Sequence, residues 1–107
     1  MAQLTIEFEV VNLLYYRLAH MIDRGKIPNY ETSMQKLFAT ELTQRVANAG
    51  MDLAGLYGQM KKKSKRAVLS GKIEHLYRWS VVETIYGGTS EIQRSIIARR
   101  GLKLPKE

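Results

Sequence analysis

The chain has 107 residues, 45% hydrophobic and 25% charged, a make-up that fits one globular domain with a single core and excludes a disordered tail. Cysteine is absent, which removes disulfides, thiolate metal sites and cysteine nucleophiles together. The net charge of +7 is local, because Lys61, Lys62, Lys63, Lys65 and Arg66 sit in one short stretch and only +2 remains without them; a nucleic-acid partner is therefore not expected.

The N-terminal "MAQLTIEFEV" lacks a basic segment and a small-residue cleavage site, and no apolar run approaches the roughly 18 residues that span a bilayer. A cytoplasmic chain with no membrane partner is the expectation. From about residue 4 to 24, Ile6, Val10, Leu14, Leu18 and Met21 recur at helical spacing, with Leu13 and Ile22 widening the stripe. Gly25 and Pro28 supply the stop.

Asn29 is placed as an N-cap for a second helix over residues 30–54, with Glu31 suiting the positive end of its dipole. Met34, Leu37, Phe38, Leu42, Val46, Ala49 and Leu53 form its apolar stripe. Periodicity then fails across "GLYGQMKKKSKRAVLSG", so residues 59–69 read as a basic, solvated loop. A third helix is expected over residues 70–86, although its β-branched residues weaken it. A fourth, over residues 89–100, starts at Thr89 or Ser90; Ser90 and Gln93 have capping-box spacing, and Gly101 and Pro105 end it. The predicted architecture is one all-α domain, an antiparallel bundle of three to four helices.

The stretch with chemical content is "IYGGTSEIQR", residues 85–94. Glycines ahead of a helix start let an anionic ligand approach unpaired N–H groups, although by itself such a turn is commonly just a cap. The wider "IYGGTSEIQRSIIARRGLKLP" resembles the last helix of the acyl-CoA dehydrogenase family, of the form "IYEGTSEIQRLIIARELL". "SMQKLFATELTQRV" is similar to that family's "AMAKLFASEAAMRV", and the resemblance covers nearly the whole chain outside the basic loop.

The resemblance implies part of an FAD-dependent oxidoreductase. Such enzymes remove a hydride from Cβ of an acyl-CoA while a glutamate takes the α-proton, and electrons leave to an electron-transferring flavoprotein. It also implies flavin contacts at Thr89, Ser90 and Glu91. Gly87 stands where many members carry the catalytic glutamate, and glycine cannot abstract a proton; some branches place that glutamate on an earlier helix. No catalytic residue is therefore assigned, Glu83 and Glu91 occupying no catalytic family position. A second family segment, "QIHGGYGY", matches "MDLAGLYG", which keeps Gly55 as a cofactor contact but has Met51 in place of the glutamine.

The family's N-terminal and middle β domains have no counterpart here, so the isolated chain is not expected to catalyse dehydrogenation. Its uncovered apolar face implies a homo-oligomer or a partner chain supplying the missing domains. The alternative is a small self-associating helical module that binds no flavin. His20 and His75 fall on separate predicted helices, which leaves no metal site. The six tyrosines and Trp79 read as core and interface residues, with Tyr86 bordering the family's active site.

Overall fold

The computed structural model describes residues 1–105. Four α-helices, α1 (Ala2–Asp23), α2 (Tyr30–Ala54), α3 (Lys72–Glu83) and α4 (Ser90–Ile96), follow one another, with no strand among the described residues. The all-α expectation is borne out.

The seam of α1 keeps Leu14, Leu18 and Met21 of the expected stripe and departs from it in the N-terminal half. Leu4, Glu7, Val11, Leu14, Leu18 and Met21 are half-buried at three- and four-residue spacing, whereas Ile6, Val10 and Leu13 are exposed. The helix carries apolar residues over more than one stripe and has only α2 to bury them against. Polar pairs mark the winning register: Arg45 Nε donates to Glu7 Oε2 at 2.8 Å, and Arg17 lies 4.0 Å from Glu31.

Gly25, at φ +69°, ends α1 in a Schellman turn, with Gly25 N–H donating to the Ile22 carbonyl and Lys26 N–H to that of Met21, both at 2.9 Å. Asn29 occupies the N-cap of α2 without capping through its side chain. Its Oδ1 instead accepts from Arg100 at 2.8 Å, and its N–H donates to Glu31 Oε2 at 3.1 Å. Glu31 thus accepts from the N-cap's own N–H, while the asparagine side chain is taken up by Arg100 and does not make the expected cap.

α2 is the axle. It packs against α1, α3 and α4, which make hardly any contact with one another. The pairings Glu7–Arg45 and Arg17–Glu31 run α1 antiparallel to α2. Gln44 bonded to Ser80 and Thr84, with Gly50 against Ile73, does the same for α3, and Glu41–Arg94 with Tyr30 against Gly101 for α4. Being surrounded, α2 holds Leu42 and Ala47, the only fully buried apolar side chains among the described residues, together with buried Ser33, Gln35 and Thr40.

Between α2 and α3 the chain makes a short 3₁₀ turn at Gly55–Gln59 and then folds the basic segment back on itself. Leu69, Ser70 and Gly71 are consecutively left-handed, at φ +48°, +55° and +79°, so α3 cannot begin before Lys72. After α4, the last turn widens into a π-turn at Ile97–Gly101, where Leu102 N–H reaches the Ile97 carbonyl at 3.1 Å.

The resulting shape is open. The Cα radius of gyration is 16.9 Å, where a compact chain of this length has about 13 Å. The accessible surface is 8056 Å² against roughly 6,100 Å² for a monomer of this mass.

Candidate functional site

The turn joining α3 to α4 is held from three directions. Thr84 ends α3, and its carbonyl accepts from Ser90 N–H at 3.1 Å, closing the loop at its neck. Gln44 of α2 donates to Thr84 Oγ1 at 3.2 Å. Gln93 reaches back from α4, its Nε2 donating to the Gly87 carbonyl at 2.9 Å, and Lys36 of α2 donates to the Gly88 carbonyl at 2.8 Å.

Both glycines have left-handed backbones, φ +65° at Gly87 and +95° at Gly88. A Cβ on Gly88 would stand 2.7 Å from Gln93 Nε2, whereas one on Gly87 would meet nothing within 4 Å. Gly88 is therefore required by packing as well as by conformation, and Gly87 presents an open backbone edge.

Thr89 is the N-cap of α4, its Oγ1 accepting from Ile92 N–H at 3.3 Å. Ser90, the alternative cap, is buried. The expected capping box takes a different form: Gln93 spans back to glycine carbonyls, because the left-handed turn points those carbonyls at it. Glu91 is exposed, and its carboxyl is held below the ordinary range chiefly by its own N–H and then by Thr89.

Among the described residues no backbone acceptor within hydrogen-bond geometry takes the N–H groups of Gly87, Gly88 and Thr89. With the carbonyls of Gly87 and Gly88 drawn inward, that N–H edge is what the turn offers a polar ligand. This donor set fits the polar oxygens of a nucleotide cofactor. The carboxylate of Glu91 beside it would be held off a bare phosphate by repulsion.

Gly55 lies elsewhere. It is on the order of 16 Å further along α2 than the Gln44 that holds Thr84, at a rise of about 1.5 Å per residue. Its φ is +55°, with open space where a Cβ would be. The structure brings Thr89, Ser90 and Glu91 together and leaves Gly55 apart, so one copy of the chain does not converge all four on one point.

Lys36 and Gln44 are the positioning residues that sequence reasoning missed. Lys36 also lies 6.0 Å over the ring of Tyr86. No local signal marks either residue, because their partners Gly88 and Thr84 lie 52 and 40 positions away.

The fold and the turn define a small antiparallel all-α unit whose last helix opens on a tethered Gly-Gly-Thr-Ser turn. Residues 1–102 match the C-terminal domain of acyl-CoA dehydrogenases, and the chain belongs to that family. It is 36% identical over 103 residues to the 3-(aryl)acrylate reductase of Clostridium sporogenes, covering 96% of this chain and 25% of that protein. The caffeyl-CoA reductase–Etf complex subunit CarC of Acetobacterium woodii is 32% identical over 102 residues, covering 95% of this chain and 25% of that protein. Among solved structures, the ChsE4–ChsE5 complex from Mycobacterium tuberculosis is similar at a TM-score of 0.89 and 30% identity, over 99% of this chain and 27% of that one. The chain thus spans about a quarter of the length of the relatives it matches. Among the described residues no helix is long and apolar enough to cross a membrane, and no cluster of three His, Cys, Asp or Glu stands at metal-ligand distance.

Proposed function

We propose that this chain is the C-terminal helical segment of an FAD-dependent acyl-CoA dehydrogenase-type oxidoreductase, acting only when joined to the rest of the enzyme. The observation that supports it most is that the family segment covers residues 1–102, with its "GGTSEIQ" folded as a tethered turn.

In this reading Thr89, Ser90, Glu91 and the peptide edge of Gly87–Thr89 hold one flavin nucleotide, and Gly55 contacts another from a neighbouring subunit. The flavin, when bound, supplies the hydride acceptor for acyl-CoA oxidation, and an electron-transferring flavoprotein takes the electrons away. The chain's own part is to orient. Lys36, Gln44 and Gln93 fix the turn, and with glycine at position 87 the α-proton is taken by a base outside residues 1–107.

Assembly is the second half of the proposal. The surface exceeds that of a compact monomer by about 2,000 Å², the size of a large interface. Exposed Ile6, Val10 and Leu13 form a second apolar stripe on α1, and a helix apolar on two sides is built to lie between two partners. A homo-oligomer, or a partner chain bringing the remaining domains, would cover it.

Titration of the purified chain with FAD by calorimetry, with light scattering for mass, tests both halves. Saturable binding that Thr89→Ala weakens supports the flavin site. A discrete oligomer that binds no FAD supports instead a self-associating module without flavin. A monomer that binds nothing sinks both.

A further inference from the structure

The basic segment and α3 together line a groove of about 800 Å³, well within the size of small-ligand sites. Lys61, Lys62, Lys63 and Lys72 line it with Arg78, and Glu74 is its one carboxylate, already engaged by Arg78. The local charge is therefore strongly positive. The remainder of the lining is apolar and aromatic: Leu76, and the rings of His75 and Trp79, which lie nearly parallel at 17° with centroids 6.3 Å apart.

The groove is preformed by backbone strain. Leu69, Ser70 and Gly71 are all left-handed, an expensive conformation for Leu and Ser that persists only where surroundings impose it. Ser70 and Gly71 line the groove. The bare Cα of Gly71 lets this turn press on the basic segment, since a Cβ there would stand 2.5 Å from Lys62 N. The turn thereby fixes the backbone from which three of the lysines project, so less ordering remains to be done on binding.

We infer that this groove binds a nucleotide, with the base stacked on the Trp79–His75 ring face and a di- or triphosphate on Lys61, Lys62, Lys63 and Lys72. Three features select that class. A flat aromatic face suits a base, which stacks on Trp or His regardless of sequence. With Arg78 paired to Glu74, the four lysines that line one groove favour a compact polyanion over the single charge of a fatty carboxylate. The same charge repels a second copy of this chain at this face. The site is separate from the α4 turn and does not depend on the flavin reading.

Trp79 is the only tryptophan in the sequence and is half exposed, so its fluorescence reports the groove directly. With ADP as the probe, the expected result is saturable quenching. The combined Lys61→Glu, Lys62→Glu, Lys63→Glu variant weakens it at least ten-fold while far-UV circular dichroism stays unchanged, as fits exposed side chains. Lys72→Glu weakens it several-fold, and Trp79→Phe keeps ADP binding by calorimetry. Inorganic pyrophosphate competes with ADP but does not quench, and adenosine binds far more weakly. The inference is overturned if ADP gives no saturable response at millimolar concentration, or if the charge-reversed variant binds it equally well. It is likewise overturned if pyrophosphate binds as tightly as ADP, or if a short single-stranded oligonucleotide binds more than ten-fold tighter than ADP, which would mark a nucleic-acid surface. Thr89→Ala leaves ADP binding here unchanged. Because FAD carries an ADP moiety, binding at the α4 turn is tested with FAD on the lysine-reversed variant and with saturating ADP present, where only the Thr89-dependent part remains, so failure of either reading is seen separately.

Discussion

Two turns in this chain lead into helices through left-handed glycine, one at Gly71 ahead of α3 and one at Gly87–Gly88 ahead of α4. The second is held by side chains: Lys36, Gln44 and Gln93 each reach into it from a helix. The first is held by backbone against backbone, with Gly71 pressed on Lys62 and two non-glycine residues strained before it. Side-chain tethers leave a turn able to give by a rotamer, and backbone contact leaves no such freedom. The turn inside the family motif is therefore the forgiving one, and the turn outside it is the brittle one.

A graded series of alanine substitutions tests that difference. At Gly71 the new Cβ must displace the Lys62 backbone, so overpacking of about 1–3 kcal/mol adds to a left-handed penalty of about 1–2 kcal/mol. A drop in Tm of well over 10 °C follows at about 4–8 °C per kcal/mol. At Gly88 the obstacle is the end of the Gln93 side chain, which can swing away at the loss of one hydrogen bond, for about 2 kcal/mol in all. At Gly87 space is open and only the conformational penalty of about 1–2 kcal/mol remains. Thermal unfolding that ranked Gly88→Ala or Gly87→Ala as the worst would contradict the contrast.

Removing a tether instead of adding an atom should act on the α4 turn alone. Lys36→Met loses a charge-assisted hydrogen bond to the Gly88 carbonyl and the approach to Tyr86, worth about 1.5–2 kcal/mol. Faster amide exchange is expected at Ser90, whose N–H closes the neck of that loop, with no change at Lys72. Equal acceleration at both turns would mean that α2 transmits the change and that the two are not independent.

What the sequence made legible follows the same division. Glycines, the Thr89 cap and the helix of Ser90 onward are local chemistry, set by residues within a few positions of one another, and were readable in "IYGGTSEIQR". The tethers are not: Lys36 and Gly88 are 52 positions apart, and nothing in a helical period says which exposed-looking lysine will turn inward. Only the N-terminal half of the α1 seam, where Leu4 and Val11 replace Ile6 and Val10, departs from the apolar pattern, and for a related reason. Its two apolar stripes are equivalent until α2 and the Glu7–Arg45 pair select one. The ring face of Trp79 and His75 beside the lysines was hidden because the basic segment carries no aromatic of its own, and folding brings α3 to it.

The smallest effect expected is also the one that separates the turns most cleanly, because each carries one carboxylate titrating below its ordinary value of 4.5. Glu74 is held low chiefly by Arg78, a charged partner; Glu91 is held low chiefly by its own backbone N–H and then by Thr89. In both cases the folded state binds its proton less readily than the unfolded one, so their stabilisation is complete above about pH 4.5 and fades as pH falls through the folded values. Glu7 and Glu31 add to the same acid-side loss. Salt then discriminates, since it screens a charged partner more strongly than an amide dipole at hydrogen-bond distance, with a Debye length of about 3 Å at 1 M. Carboxyl titration by NMR at low and at roughly 1 M salt should show Glu74 moving up toward its ordinary value and Glu91 staying low. If both moved together, the Glu91 carboxylate would depend on a charged partner as Glu74 does, and the distinction drawn between backbone-capped and charge-paired carboxylates would fail.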